Sequence, residues 1–409
     1  MSCNEWREVK LGEIIEFNPK ESISKGKCAK KINMDMLKPF YKYINEYVME
    51  EYKGGSKFRN GDTIMARITP CLENGKTAKV TLLDKNEVGF GSTGFIVLRA
   101  KEGLTTEDYV YYMAISPYVR DIAIKSITGT LGRQRVQINV IQNININLPS
   151  LHEQKAIAKI LSDLDEKIEI NNRINKVLEE IAQTIFKRWF VDFEFPNENG
   201  EPYKSSGGEM VESELGPIPK GWEIGRLGEY ISFVKGKKPK NIIENKKDGY
   251  VEYLTIDVLN NNSRLFADPE KMITVENKNN MMVMDGVSSG TIYFGFKGIV
   301  ASTFAKIEVI NNKLNDDILY FILKYYENDI KNHTTGSAIL HADKEYIKRL
   351  TVALPDNNEL IQQYSRLSEH IRNQLFTIIM ENQRLSQLRD TLLPKLMSGE
   401  IRVPLDESK

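Results

Sequence analysis

Two stretches of the chain keep apolar residues at steps of four and three for far longer than an ordinary globular helix. From residue 151 they fall at Ile157, Leu161, Leu164 and Ile168, then at Ile174, Leu178, Ile181 and Ile185. From residue 360 the same steps reach Tyr364, Leu367, Ile371, Leu375, Ile378, Leu385, Leu388 and Leu392. This spacing is the seam of a coiled coil. Each stretch predicts a helix of roughly 35 to 40 residues, about 55 to 60 Å long at 1.5 Å per residue. Each also carries an asparagine halfway along, Asn171 and Asn382. A buried asparagine costs stability but fixes register and orientation. Two seams of equal length are expected to pair with each other. Pro394 interrupts the second while it is still apolar, in "LLPKLMSG", and predicts that the chain turns out of the coil there, because proline lacks an N–H and its ring strikes the carbonyl one turn back.

The segments before the two seams repeat each other. "WREVKLGEIIEF" (residues 6–17) returns as "WEIGRLGEYISF" (residues 222–233), and "GSTGFIVL" (91–98) as "ASTFAKIEV" (301–309). "YVYYMAIS" (109–116) is echoed by "ILYFILKY" (318–325), and each series closes on "LP", at Pro149 and Pro355. The offset drifts only from 216 (Trp6 to Trp222) to 206 (Pro149 to Pro355), which is the signature of duplication with small insertions. Two copies do not make a solenoid; they make two similar domains. The expected fold is α+β: two homologous α/β domains, residues 1–150 and 222–355, separated by two long helices forming an antiparallel coiled coil with pseudo-twofold symmetry. The helices occupy residues 151–196 and 356–409. Residues 197–221, rich in Gly, Pro, Ser and Glu, read as a linker or extended hairpin.

Composition adds little until the chain is divided. Of 409 residues, 41% are hydrophobic, and lysine plus arginine balance aspartate plus glutamate at 56 each. Residues 1–150, however, hold 22 basic against 17 acidic side chains, and residues 151–221 hold 9 against 14. The positive excess lies in the first domain, weak support for a polyanionic partner. No long apolar run and no charged-then-apolar N-terminus suggests a membrane span or a secretory signal. Cys3, Cys28 and Cys71 show no CxxC pairing and fit reduced thiols in a cytosol rather than a disulfide frame or zinc site.

Catalytic motifs are missing. "GFGSTG" (residues 89–94) matches G-x-G-x-x-G, but a β-branched strand follows where a phosphate-binding helix would have to begin. The glycines are therefore expected in a turn between strands. There is no Walker phosphate loop, no HExxH pair and no nucleophile elbow. His152, His333, His341 and His370 are too scattered for a metal site, and none is assigned. What remains is polar loop chemistry. "GTLGRQRVQIN" (129–139) presents Arg133, Gln134, Arg135 and Gln137, side chains suited to bidentate contacts with guanine and adenine. "KGKKPKN" (235–241) presents Lys235, Lys237, Lys238 and Lys240, a plausible phosphate grip, and the "HTTGSAILH" loop adds Thr334, Thr335 and Ser337. Any one of these is as readily a solvated loop residue; as a set found in both domains they favour nucleic acid.

Four stretches carry a family resemblance: "LPSLHEQKAIAKIL" (148–161), "EIAQTIFKRWFVDFEF" (180–195), "ELGPIPKGWEIGRLGE" (214–229) and "LRDTLLPKLMSGEIRV" (388–403). With them the chain resembles, over essentially its whole length, the specificity subunit of type I restriction–modification systems. The resemblance implies two target-recognition domains, each reading one half of a split site in double-stranded DNA, and no catalytic centre in this chain. It implies two methyltransferase (modification) subunits as partners, joined by ATP-dependent restriction subunits. S-adenosylmethionine, ATP and magnesium would sit on those partners, with no cofactor on this chain and a bacterial or archaeal cytoplasm as its location. On that basis the aromatic and leucine-rich helix ends become candidate docking surfaces: Phe186, Trp189 and Phe190 in one, Leu392, Leu393 and Leu396 in the other. These residues could equally close the coil against its own domains. The alternative from another class is a stand-alone two-domain DNA-binding regulator or architectural protein. A nuclease reading is disfavoured by the absence of a metal-binding carboxylate cluster.

Overall fold

A computed structural model of the chain describes residues 6–129, 134–259, 263–337, 339–356 and 358–404. Two compact units emerge, one from residues 1–169 with 384–409, the other from residues 170–383. The end of the second long helix thus folds with the first domain rather than standing apart as a separate C-terminal element.

The first unit is built on two four-stranded sheets. One has the order Ile15–Phe17, Phe95–Ala100, Thr63–Ala66, Thr77–Lys79, all antiparallel. The other has the order Val48–Glu51, Cys28–Ile32, Gly89–Gly91, Ser56–Phe58, with Cys28–Ile32 parallel to Gly89–Gly91. A two-stranded ribbon joins Arg7–Lys10 to Asn145–Leu148. The helix Glu107–Ile115 is apolar nearly all round, and Tyr109 to Ala114 are all buried, as expected of a helix enclosed by a core. The "GFGSTG" glycines sit in strand Gly89–Gly91 and the turn before Phe95–Ala100. A Cβ at Gly91 would press against the Ile32 carbonyl, so that glycine serves strand packing and not a phosphate.

The second unit repeats this plan. Its sheets run Ile231–Lys235, Phe304–Val309, Asn280–Val283, Ile292–Tyr293 and Phe266–Ala267, Val251–Leu254, Gly298–Val300, Thr274–Val275, and Val251–Leu254 is again parallel to Gly298–Val300. Trp222–Arg226 pairs with Thr351–Pro355 as Arg7–Lys10 pairs with Asn145–Leu148. Strand order and pairing sense agree in all three sheets, so the duplication read from the sequence is a duplication of fold. Residues 197–221 hold a small hairpin, Met210–Val211 against Ile218–Pro219.

The long helices are Leu151–Phe190 and Asn358–Ser398. They are antiparallel in each unit: Asp165 meets Arg389 in the first, while Asn171 meets Asn382 and Ala182 meets Tyr364 in the second. The expected seam needs correction. Ile174 and Ile181 are 41% and 46% exposed, and Leu367 and Leu388 are also exposed. The buried positions of the first helix in the second unit are instead Asn171, Ala182, Phe186 and Phe190. Asn171 to Ala182 is an eleven-residue step, followed by steps of four. Such spacing fits a nearly straight helix, whose 3.6-residue turn drifts off a strict heptad.

Pro394 does not end its helix. The helix continues to Ser398, because Leu393, Leu396 and Met397 are buried in the first unit's core and their burial outweighs the roughly 3 kcal/mol of a helical proline. The helix stops at Gly399, whose φ of +77° is left-handed, with the Ile401 N–H closing on the Lys395 carbonyl.

Candidate nucleic-acid interface

In each unit three pieces of chain converge at the end of the central antiparallel sheet. In the first, strand Thr63–Ala66 runs into Arg67, whose N–H donates to the Gly94 carbonyl at 2.7 Å and whose Nε donates to the Val136 carbonyl at 3.2 Å. Val136 N–H returns a bond to the Arg67 carbonyl, Ile68 bridges Arg135, and Arg135 exchanges backbone bonds with Thr128. Thr69 donates to Gln134 at 3.3 Å and Gln137 donates to Thr128 at 2.5 Å. Of the sequence candidates, Gln134, Arg135 and Gln137 are therefore brought onto one small hairpin; Arg133 lies outside the described residues. Arg67 is an addition that loop composition did not reveal. Burial, with the neighbouring Arg135 charge, pulls its pKa down, and no carboxylate counters that shift. Two neighbouring guanidinium groups leave a positive site, which phosphate or guanine O6 and N7 would match.

The second unit builds the same junction with other side chains. After strand Asn280–Val283, the Met284 N–H donates to the Thr303 carbonyl at 2.7 Å, and Asp285 bridges His341 as Ile68 bridges Arg135. Thr334–Thr335 pairs with His341–Ala342, bringing Thr335 opposite His341 and leaving Ser337 exposed near the hairpin tip. Asp285 is shared: Oδ1 lies 2.8 Å from His341 Nδ1 and Oδ2 accepts from Lys235 Nζ at 3.2 Å. Burial alone would raise the Asp285 pKa, but the His341 and Lys235 contacts outweigh it and hold the carboxyl below its usual range. Gly236 lets the following loop press onto the turn, since a Cβ there would strike the Ala301 carbonyl, and the Lys237 N–H reaches the Val300 carbonyl at 3.2 Å. Lys237, Lys238 and Lys240 are exposed. His333 stands apart, stacked on Tyr346 at 3.9 Å. No group of three or more metal-ligating side chains occurs among the described residues.

The coil asparagines meet directly. Asn171 Nδ2 donates to Asn382 Oδ1 at 2.9 Å and to Glu381 at 2.7 Å, while Asn382 Nδ2 donates to Asn172 at 2.9 Å.

The helix-end residues proposed as docking surfaces need correction. Phe186 and Phe190 are 4% and 6% exposed and stack on one another, with Tyr364 and Trp222 against Phe190. Trp189 is partly buried against Tyr364. Leu393 and Leu396 are buried in the first unit's core, and Leu392 packs beside them. Aromatic and leucine content marked these ends as sticky, but burial inside their own units consumes that surface. What stays exposed is a stripe on the first helix: Ile170, Ile174, Val177 and Ile181, between 41% and 52% accessible. Their 4-3-4 spacing keeps all four within one narrow face, more than a third of a turn from the centre of the buried line.

The type I restriction modification DNA specificity domain family matches residues 4–180 and 219–388, one match for each repeat. The chain belongs to this specificity family. Among curated relatives, the MjaVIII specificity subunit of Methanocaldococcus jannaschii is 30% identical over 44% of this chain, a match spanning 43% of that protein. The MjaIX specificity subunit of the same organism is 28% identical over 76% of this chain and 72% of its own length. The HindI specificity subunit of Haemophilus influenzae is 24% identical over 97% of this chain and 100% of its own length. The solved type I restriction–modification S subunit from M. genitalium shares the fold, with a TM-score of 0.51, 20% identity and 97% coverage of both chains. Each of the two matched regions of this chain contains one copy of the junction described above. No helix among the described residues is long and apolar enough to cross a membrane.

Proposed function

We propose that this chain is the DNA-recognition subunit of a type I restriction–modification complex in a bacterial or archaeal cytoplasm. Each unit reads one short sequence in double-stranded DNA, and the two together define a bipartite, asymmetric site. The observation that carries this reading is the junction built twice on one backbone plan and furnished differently, with Arg67 and Arg135 in one and Asp285, His341 and Lys235 in the other. A conserved scaffold with divergent polar groups is what two readers of unlike half-sites require, since phosphate contacts position a protein and base contacts specify. The chain itself performs no chemistry: S-adenosylmethionine, ATP and magnesium belong to the modification and restriction subunits. The exposed stripe from Ile170 to Ile181 supports assembly, because a 4-3-4 apolar row on an already paired helix matches the seam of one further amphipathic helix. A modification subunit is the occupant assigned to it.

The test is a domain exchange. Replacing residues 222–355 with those of a relative, in a host carrying the full system, should change one half of the methylated adenine motif and leave the other half intact. A change in both halves together, or a continuous palindromic motif, refutes independent reading by the two units.

A further inference from the structure

The residue paired with the chain leaving the central sheet occupies an equivalent place in both units, but its chemistry is reversed. In the first unit Arg135 bridges Ile68 and stands beside Arg67, a position that offers only donors. In the second, His341 bridges Asp285 and is fixed through Nδ1 by that carboxylate, whose other oxygen is held by Lys235. The His341 side chain is 49% exposed while that of Asp285 is 25% exposed, so the carboxylate orients the ring and the ring faces outward. With Nδ1 held by Asp285, Nε2 is the ring nitrogen left to meet a base, and in the neutral tautomer with its proton on Nδ1 it is an acceptor.

We propose that this position is the specificity-determining contact of each unit, with Arg135 selecting guanine and His341 selecting a base that offers an amino group in the major groove, adenine through N6 or cytosine through N4. Asp285 and Lys235 act as positioning residues: the first sets the imidazole's orientation and the second holds the carboxylate in place. The inference rests on the DNA-reading function proposed above and adds which residue reads and what kind of base edge it meets. The chemistry follows from the groove code. Guanine shows two acceptors there, which a guanidinium matches; adenine and cytosine each show an amino donor, which a guanidinium cannot satisfy and an acceptor nitrogen can.

Three variants of the full chain, co-expressed with its modification subunit in a host lacking other adenine methylation, decide the matter by mapping methylated sites. His341→Ala should relax selection at one base pair of one half-site by about ten-fold, within the range of a single good base contact, and leave the other half and the gap unchanged. His341→Arg, which installs the first unit's residue, should move the preference at that base pair toward guanine. Arg135→Ala should relax one base pair in the opposite half. Thermal melting of each purified variant should match wild type, since both side chains project from a hairpin whose backbone pairing is retained. A wild-type bipartite motif with every variant motif identical to it overturns this inference alone, as does relaxation spread over many positions in a folded variant. A wild-type system with no sequence motif overturns the DNA-reading proposal and this inference with it.

Discussion

Burial and exposure on the same helix make opposite predictions for residues only a few positions apart. Phe190 is 6% exposed, stacks on Phe186 at 5.3 Å and meets Tyr364 edge-on at 5.1 Å and Trp222 at 5.8 Å. Truncating it removes a whole ring from a close-packed aromatic cluster. A buried Phe→Ala change costs about 3 to 5 kcal/mol, and each lost ring pair adds about 0.5 to 1.5 kcal/mol within that range. At about 2 to 4 °C per kcal/mol for a unit of this size, Phe190→Ala should lower the melting midpoint by roughly 6 to 20 °C. Ile174 and Ile181, by contrast, are nearly half exposed, and surface changes of that kind usually stay within about 0.5 kcal/mol. Ile174→Asp with Ile181→Asp should leave the midpoint within a few degrees but abolish co-purification of the modification subunit, because two carboxylates would be buried unpaired in the helix interface. Differential scanning calorimetry of the free chain and sizing of the co-expressed complex supply the two readouts. Phe190→Ala with an unchanged midpoint and a lost complex would show that the aromatic end, not the stripe, is the docking surface.

Three further predictions follow from the polar groups. Asp165 accepts from Arg389 at 2.8 Å and from Tyr112 at 2.6 Å in a buried cluster, so Asp165→Ala should cost about 3 to 5 kcal/mol in denaturant titration. Pairing Asp165→Leu with Arg389→Met should recover most of that loss; failure to recover would mean the pair contributes more than avoidance of a lone buried charge. Glu327 is 9% exposed, and although burial opposes its ionisation, Lys324 and Lys331 hold its carboxyl below the ordinary value of 4.5. Its folded pKa being depressed, its stabilisation is fully present above 4.5 and is lost as pH falls through the lower folded value. Glu327→Gln should therefore be less stable at pH 7 and should converge on wild type below that value in pH-dependent melting. Lys237→Ala and Lys238→Ala should weaken DNA binding equally for matched and mismatched sites, and each lost phosphate contact should reduce the salt slope by about 0.9 in fluorescence anisotropy.

Much of the architecture was legible because duplication writes the same signal twice. Trp6 with Trp222 and Pro149 with Pro355 marked the repeat, and the two sets of sheets share their strand orders. The helix lengths were legible for a similar reason: forty residues of unbroken apolar spacing admit few other readings. The face of each helix was not. A heptad and an eleven-residue step differ by a fraction of a residue per turn, and aliphatic residues stood on both candidate faces. The aliphatic residues lost the contest at Ile174, Ile181, Leu367 and Leu388, while Asn171, Ser368 and Arg389 went inside, each with a specific polar partner that sequence spacing does not disclose. Pro394 misled for the opposite reason, since a local rule was overruled by the burial of Leu393, Leu396 and Met397 around it.

The candidate interface was half legible, and the missing half is the informative one. Loop composition singled out Gln134, Arg135, Lys235, Thr334 and Thr335 as candidates because basic, amide and hydroxyl side chains in glycine-containing loops are visible as such. Arg67 and Asp285 were not found: each follows a buried strand, and neither stands in a polar cluster of the sequence. Their partners lie 50 to 70 residues away, from Lys235 to Asp285, from Asp285 to His341 and from Arg67 to Val136, so only the fold brings them together. These two residues also set the sign of each junction. Arg67 adds a second positive charge beside Arg135, whereas Asp285 pairs with Lys235 and holds the His341 ring through Nδ1. On the proposed reading, the preference changes when the bridged residue (Ile68 or Asp285) and its hairpin partner (Arg135 or His341) are substituted together, because an imidazole alone would lack the carboxylate that holds it. The pair, rather than the loop, is then the unit on which specificity turns. Ile68→Asp combined with Arg135→His, which places a carboxylate and an imidazole at the positions equivalent to Asp285 and His341, should transfer the second unit's preference to the first half-site. Either change made singly should instead reduce methylation at that site without creating a new preference.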